Sequence, residues 1–117
     1  MKYTPIRHKF NAQRVEKDGI KFPSKLEKQC YEILKKLMED GIILFFLRQV
    51  PFDLPGPSRH QVDFCIFTEN NVIFIEAKGR DLPMGKLKRK QVEEIYSIPS
   101  HVVKKPLEIN EVVQTYG

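Results

Sequence analysis

Residues 60–78 read HQVDFCIFTENNVIFIEAK, and this segment gives the clearest indication of the architecture. Two mainly apolar runs, 61–68 and 71–78, are separated by the short polar turn Glu69-Asn70, which is the pattern of a β-hairpin. Apolar residues occupy both alternating faces of each run, so we expect two neighbouring strands of a sheet that is covered on both sides. Three charged residues interrupt the runs: Asp63, Glu76 and Lys78.

The residues before this segment predict a small hairpin and a helix. Asp18-Gly19 suits a tight turn, so residues 14–22 are predicted as a hairpin that follows a basic arm. Pro23-Ser24 supplies a helix start, and apolar residues recur at helical spacing after it. Asp40-Gly41 ends this helix, because Gly accepts a left-handed C-terminal conformation at little cost.

The remaining segments complete the order of elements. Residues 42–54 predict a strand, and Pro51 within it indicates a sheet edge or a bulge. Residues 84–96 predict a basic helix, and residues 100–104 predict a short strand. Pro106 can begin a terminal helix. The order is therefore α-β-β-β-α-β followed by a terminal helix, which indicates the α/β class.

Length and composition limit what this chain can be. A chain of 117 residues and 13.8 kDa allows one domain, and 41% hydrophobic residues suffice for one core. No apolar run approaches the roughly 20 residues that span a bilayer, and the basic N-terminus lacks the apolar segment of a secretory signal. Cys30 and Cys65 lie in apolar segments without metal-ligand spacing, which predicts reduced core cysteines. We expect a cytoplasmic protein that binds no membrane.

The net charge of +5 is concentrated in two blocks. Residues 1–25 carry seven Lys or Arg against two acids, and residues 78–90 carry six against one. Two basic blocks on an otherwise acidic body favour a polyanion as the partner, with nucleic acid first. Charge runs are also typical of a solvated surface, and the charge pattern alone does not decide between these two interpretations.

Asp63 and Glu76 are candidates for a metal site. If the two strands pair about Glu69-Asn70, the numbers of facing residues sum to about 139 or 140, so Asp63 lies opposite Glu76 or Ala77. Carboxylates that converge in a core repel one another unless a cation lies between them. Mg²⁺ takes few oxygens from a protein and keeps waters and phosphate, so Asp63, Glu76 and the Ala77 carbonyl are suited to it.

Two further charged residues fit the same chemistry. Glu27 lies in the apolar stripe of the first helix, but Ser24 and Glu27 also fit a capping box, and the two interpretations can coexist. Lys78 alternates with Glu76 on one strand face, where an ion pair is the simpler interpretation. Beside a metal site, an ammonium would orient or deprotonate the attacking water and offset the charge that grows during phosphodiester hydrolysis.

Glu27 on the first helix, Asp63 on the second strand and Glu76-Ala77-Lys78 on the third resemble the PD-(D/E)XK nuclease superfamily. The α-β-β-β-α-β order is similar to the core of that superfamily. The resemblance implies a restriction-endonuclease-like fold, in which helices flank a mixed central sheet. A single nuclease domain, residues 1–117, would then have three parts: a basic arm and hairpin (1–22), the nuclease core (24–104) and a terminal helix (106–117).

The chain also resembles small phage and prophage nucleases, which are similar to Holliday junction resolvases. The matching segments are residues 18–27, Gln49, Asp63-Phe64, residues 76–79 and residues 88–90. The resemblance implies a Mg²⁺-dependent endonuclease that accepts Mn²⁺ as a substitute, uses no organic cofactor and cuts branched DNA as a homodimer. It also implies a role in DNA recombination, in a bacterial or phage-infected host cell.

The resemblance assigns roles to individual residues. Asp63, Glu76 and the Ala77 carbonyl bind the metal, Glu27 contributes directly or through water, and Lys78 assists the nucleophile. Two residues are expected to support the site: Gln49, at a matching polar position, and Ser24, as both helix cap and site residue. The basic residues expected to contact DNA phosphates without reading sequence are Arg7, Lys9, Arg14, Lys86, Lys88, Arg89 and Lys90.

Other functions on the same fold stay open, because a fold does not fix a substrate. Within enzymes, the alternative to Holliday junction resolution is a nicking, flap or restriction-like nuclease. From a different class, the alternative is a non-catalytic, structure-selective DNA-binding subunit. A homodimer is expected because one site cannot cut two strands symmetrically, and the apolar residues of the terminal helix (Val112, Val113 and Tyr116) indicate a surface for it.

Overall fold

The computed structural model describes residues 15–117, and its helices and strands follow one another in the order that the sequence predicts. The elements are β1 (Val15–Lys17), β2 (Ile20–Phe22), α1 (Lys25–Glu39), β3 (Phe45–Asp53), β4 (Arg59–Phe67), β5 (Val72–Ala77), α2 (Pro83–Tyr96), β6 (Ser100–Val103) and α3 (Glu108–Tyr116). The predicted order of elements and the α/β class are confirmed. Three predicted DNA-contacting residues lie outside the described residues: Arg7, Lys9 and Arg14.

A mixed four-stranded sheet organises the chain, with the strand order β3-β4-β5-β6. The pairs β3–β4 and β4–β5 are antiparallel, whereas β5 and β6 are parallel because α2 crosses over between them. β1 and β2 form a separate two-stranded hairpin that packs against α1. β3 is an edge strand of the larger sheet, which is where Pro51 is tolerated.

Both faces of the sheet are covered, as the apolar pattern predicts. On one face, Leu34 of α1 and Ile109 of α3 pack on Phe64 and Ile75 in a single buried cluster. On the other face, Val92 of α2 packs on residues of β4 and β5 in a second cluster. Complete burial of one such side chain contributes roughly 1.5–3 kcal/mol to stability, so the two clusters fix the helices on the sheet.

The ends of α1 agree with the sequence signals. The Ser24 side chain accepts a hydrogen bond from the Glu27 N–H at 3.1 Å, which satisfies one of the free donors at the start of the helix. At the other end, the Asp40 N–H donates to the Lys36 carbonyl, and Gly41 follows with φ +75°. A positive φ is the conformation that favours Gly after a helix.

The sheet opens between β4 and β5, next to the charged residues. The β4–β5 register runs from Phe67 opposite Val72 to Phe64 opposite Ile75, so facing numbers sum to 139, one of the two predicted registers. Beyond Phe64, β4 stays paired with β3, and beyond Ile75, β5 stays paired with β6. We call this opening the fork. Asp63 and Glu76 are the first residues beyond the last β4–β5 pair, Phe64 with Ile75, one on each strand.

Two smaller predictions have different outcomes. Cys30 and Cys65 are buried and unpaired in the two separate clusters, as expected, and burial raises the pKa of each thiol to about 12. The terminal helix offers less apolar surface than expected, because Val113 is buried in this chain's own core and Val112 packs against it, whereas Tyr116 is exposed. Among residues 15–117, no helix is long and apolar enough to cross a membrane.

Candidate active site

Three carboxylates are buried around the fork. Glu27 of α1 is 2% exposed, Asp63 of β4 is 5% exposed, and Glu76 of β5 is fully buried. An ionised carboxylate is stable in a protein interior only when it is paired, hydrogen-bonded or bound to a cation. The partners of these three side chains therefore define the chemistry of the site.

Glu27 faces the sheet and not the end of its own helix. Its carboxylate accepts hydrogen bonds from Arg48 Nη2 at 3.1 Å and from Gln49 Nε2 at 3.1 and 3.2 Å. Arg48 is itself held over the ring of Phe22, at 4.4 Å from the ring centroid. Burial raises the pKa of Glu27, and the negative charge of Asp63 raises it further, against the opposing effect of its two donors. Ser24 thus caps the helix through the Glu27 N–H, while the Glu27 side chain contacts Arg48 and Gln49, so the structure shows the Ser24 half of the predicted capping box.

Gln49 joins Glu27 to Asp63. Its Nε2 donates to Asp63 Oδ1 at 3.2 Å as well as to Glu27, so one amide group lies between two carboxylates. The main chain of Gln49 has φ +49°, a left-handed conformation that costs a residue other than Gly about 1–3 kcal/mol. The neighbouring pairs, Arg48 with Phe64 and Val50 with Val62, show that Gln49 lies opposite Asp63. Strain of this kind is concentrated at functional sites, so the position of Gln49 supports the predicted supporting role.

Asp63 lies at the centre of the fork. Its Oδ2 accepts a hydrogen bond from the Ala77 N–H at 2.9 Å and lies 3.9 Å from Lys78 Nζ. Burial raises the pKa of Asp63 and the charge of Glu76 also raises it, whereas Lys78 and the Ala77 N–H lower it. The Lys78 side chain is 39% exposed, so its ammonium connects the buried carboxylate to the surface.

Glu76 points towards α2 and has different partners. Its Oε2 lies 3.3 Å from Arg89 Nη1, and Arg89 also forms a two-pronged contact with Asp81, at 3.2 and 2.6 Å. The hydrogen bonds from Arg89 are the largest cause of the lowered pKa of Asp81. The other carboxylate oxygen of Glu76, Oε1, lies 2.9 Å from His60 Nε2, but the two groups are not aligned as a hydrogen bond.

These contacts correct one predicted DNA contact. The Arg89 side chain is 12% exposed and its guanidinium is held by Glu76 and Asp81, so it organises the site and is not available to a phosphate. Lys86 and Lys90 on the same helix are exposed, and Lys88 is half-buried. The predicted basic surface on α2 is therefore reduced to its lysines.

The structure brings some of the predicted site residues together more closely than others. Glu27 and Asp63 share the Gln49 amide, and Asp63 contacts Lys78 and the Ala77 N–H. Glu76 is near enough to influence the pKa of Asp63, but its carboxylate faces His60 and Arg89. Within residues 15–117, no group of three or more His, Cys, Asp or Glu side chains has the geometry to hold a metal ion.

A divalent ion would therefore have few side-chain ligands here. Asp63 and Glu76 follow the last β4–β5 pair on the two sides of the fork, and the Oε1 atom of Glu76 is buried without a hydrogen-bond partner. An orphaned carboxylate oxygen is a group that a cation would satisfy. Mg²⁺ commonly binds through one or two carboxylates and retains several waters, so this donor set fits such an ion.

Sequence reasoning missed three residues of the site: Arg48, His60 and Asp81. Arg48 follows an apolar run of β3, which is a weak signal in the sequence, whereas His60 stands between Arg59 and Gln61 and gives none. Their partners were not readable from the sequence, because Glu27 and Glu76 are 21 and 16 positions away in the chain. Asp81 gives no signal of its own, because it lies in the loop between β5 and α2.

Comparison with known proteins gives one match. A family model described as a protein of unknown function, DUF1064, matches residues 7–110. No curated protein and no solved structure matches the chain. The matched residues include the whole of the fork and every side chain that contacts its three carboxylates. The model covers well over half of the chain, and the protein therefore belongs to the DUF1064 family.

Proposed function

We propose that the protein is a metal-dependent endonuclease that hydrolyses phosphodiester bonds in branched DNA, in the manner of a Holliday junction resolvase. The observation that carries the proposal is the fork, where Asp63 and Glu76 are both buried on diverging strands just beyond the last β4–β5 pair and Lys78 reaches Asp63 from the surface. Two acids and a lysine in this arrangement are the groups that metal-assisted phosphodiester hydrolysis requires.

Each residue of the fork has a role in this proposal. Asp63, Glu76 and the Ala77 carbonyl would hold Mg²⁺, with Mn²⁺ as a substitute. When bound, such an ion polarises a phosphoryl oxygen and lowers the pKa of a coordinated water. Lys78 orients the attacking water as an ammonium or, as the neutral amine, takes its proton and becomes one; in either case its positive charge offsets the charge that grows on the phosphorane.

Glu27 acts on the reaction through its neighbours. It contacts Gln49, which in turn contacts Asp63, so Glu27 is a positioning residue that fixes the amide against the central carboxylate. Ser24 holds the first turn of α1 that carries Glu27. The resemblance also implies a contribution of Glu27 to metal binding, either directly or through water.

The order of elements supports a restriction-endonuclease-like core. One helix, three antiparallel strands, a second helix and a parallel strand follow one another in α1, β3–β5, α2 and β6, and the acids lie on the strands of the antiparallel pair that separates. We propose that this core is the one that the sequence resembles. Substrate choice would then come from surfaces around the fork.

The exposed lysines of α2 supply a surface for DNA next to the fork. Lys86 and Lys90 are exposed on the helix that also carries Arg89, whose guanidinium contacts Glu76. Lysine contacts to phosphates position DNA without reading its bases. This supports selection of DNA by its structure, including nicked, flap and four-way junction substrates.

One observation favours a second candidate, a non-catalytic DNA-binding subunit. Each of the three carboxylates already has a cationic side chain near it: Arg48 beside Glu27, Lys78 beside Asp63 and Arg89 beside Glu76. Buried ion pairs of this kind also occur as purely structural features. The two candidates make opposite predictions for cleavage and the same prediction for binding.

The test compares cleavage and binding in matched variants. We expect Asp63→Asn and Lys78→Ala to reduce cleavage of branched DNA at least about a hundredfold, the size typical for loss of a group that stabilises a transition state. Binding in a gel-shift assay should stay close to that of the unmodified protein. The controls are Asp53→Asn and Lys36→Ala, which alter exposed side chains of the same types elsewhere. Full cleavage activity in Asp63→Asn or Lys78→Ala would remove the site assignment.

A further inference from the structure

His60 and Glu76 form a buried contact that the proposed roles leave unexplained. The His60 side chain is 11% exposed and Glu76 is fully buried, and His60 Nε2 lies 2.9 Å from Glu76 Oε1. Neither atom has a hydrogen-bond partner, and the two groups are not aligned to bond to each other. Arg89 contacts the other carboxylate oxygen, Oε2, so His60 and Arg89 lie beside different oxygens of Glu76.

Such a pair is costly if nothing else binds it. Nearly all buried polar atoms in proteins have a hydrogen-bond partner, and each one left without a partner costs about 1–3 kcal/mol. Here two such atoms, His60 Nε2 of β4 and Glu76 Oε1 of β5, lie 2.9 Å apart. A cation that takes a lone pair from each atom would remove both costs at once.

The separation of the two atoms fits ligands of one ion. Two adjacent ligands of an octahedral ion with bonds of about 2.1 Å lie about 3.0 Å apart. The observed 2.9 Å between Nε2 and Oε1 agrees with that spacing.

We propose that His60 is a metal ligand beside Glu76, and that its nitrogen strengthens the binding of Mn²⁺ and other first-row transition-metal ions but not the binding of Mg²⁺. The inference rests on the proposed function, because Glu76 belongs to both. Mg²⁺ prefers oxygen ligands, whereas transition-metal ions also accept imidazole. Mn²⁺ is the probe, because it accepts carboxylate, water and imidazole together and is paramagnetic.

The direct test is electron-spin-echo spectroscopy of Mn²⁺ bound to the full chain. A coordinated imidazole adds ¹⁴N modulation to the echo, which a histidine that only positions Glu76 would not produce. The chain has three histidines, His8, His60 and His101. We expect the modulation in the unmodified protein and in the double variant His8→Gln/His101→Gln, where His60 is the remaining histidine, and its loss in His60→Gln.

Titration calorimetry gives a second readout that does not involve activity. His60→Gln should weaken Mn²⁺ binding about tenfold or more and change Mg²⁺ binding no more than about twofold, in line with the effect of losing a metal-site side chain. His101→Gln is the matched control, since His101 Nε2 is also buried without a partner but lies on β6. It should change neither affinity.

Each outcome decides the inference separately from the proposed function. Bound Mn²⁺ without ¹⁴N modulation, or modulation that survives in His60→Gln, overturns the assignment of His60 while leaving metal-dependent cleavage intact. Modulation from His60 in a protein that cleaves no DNA keeps the ligand and removes the nuclease. Absence of Mn²⁺ binding to the unmodified protein overturns the assignment of His60, and cleavage of branched DNA with Mg²⁺ then decides the proposed function by itself. If His60→Gln does not fold, the double variant decides alone.

Discussion

At the scale of single residues, Gln49 has the most demanding position near the fork. It adopts a left-handed conformation and uses one amide group to contact two buried carboxylates, Glu27 and Asp63. Without that amide, each carboxylate loses a donor in a place that water reaches poorly. The strain and the two contacts therefore belong together, and the contacts offset what the conformation costs.

Removal of the Gln49 amide should destabilise the protein. We expect Gln49→Ala to lower the free energy of unfolding by about 1–3 kcal/mol, the usual cost of leaving buried polar groups unsatisfied. Urea unfolding at neutral pH measures the change. The control is Gln61→Ala, which removes an exposed glutamine from β4 and should have little effect. Equal stability of the two variants would contradict the bridging role.

His101 gives a prediction for pH dependence away from the fork. It is half-buried against the ring of Tyr116, with ring centroids 4.2 Å apart. Burial lowers the pKa of His101, and this outweighs the opposing effect of Glu93. The unfolded chain therefore binds a proton at His101 before the folded protein does, so stability decreases as the pH falls below about 6.5.

The His101→Gln variant should respond less to acid. Its free energy of unfolding should fall less than that of the unmodified protein between pH 7.5 and pH 5.5, because the variant has no imidazole to protonate at this position. Urea unfolding of both proteins across this interval gives the two slopes. Parallel slopes would show that the folded and unfolded chains bind this proton equally.

At the scale of elements, α1 illustrates what the sequence could and could not predict. The start, the end and the buried stripe of α1 follow from local signals, namely Ser24, Gly41 and helical spacing. The β4–β5 register follows from a two-residue turn for the same reason. The partners of Glu27 could not be predicted, because Arg48 and Gln49 reach it only when β3 packs beside α1, and a positive φ at Gln49 has no local signature.

The cap of α1 is a test at this scale. We expect Ser24→Ala to destabilise the protein by about 1 kcal/mol, because the Glu27 N–H loses its acceptor. Ser24→Thr keeps a hydroxyl at the cap and should retain most of the stability. Thermal unfolding followed by circular dichroism compares the three proteins. A Ser24→Ala variant as stable as Ser24→Thr would mean that the cap contributes nothing.

At the scale of the whole molecule, the terminal helix gives little support to the expected homodimer, because Tyr116 is the one exposed residue of the three that were expected to form its surface. The apolar residues of α3 stabilise this chain, whereas exposed apolar side chains are found on and just before the edge strand β3, at Ile42, Leu44, Phe45 and Leu47. The expectation of a dimer now rests on symmetry alone. Under the proposed function, a chain with one fork would cut one strand, and two related chains would be needed to cut two.

Light scattering tests the assembly. We expect a mass of about twice the 13.8 kDa of one chain, at least when branched DNA is present at a saturating concentration. The mass of the DNA, measured in parallel on the DNA alone, is subtracted from the mass of the complex. A mass of 13.8 kDa under both conditions would exclude a dimer and would favour nicking of one strand.

The central claim is that the fork hydrolyses phosphodiester bonds with a divalent ion. The most direct measurement is incubation of the unmodified protein with four-way junction, flap, nicked and linear duplex DNA, each with Mg²⁺, with Mn²⁺ and with a chelator. We expect cleavage of the branched substrates with Mg²⁺ or Mn²⁺, little cleavage of linear duplex, and none with the chelator. Binding of branched DNA without cleavage under any of these ions, or equal cleavage in the chelator, would contradict it.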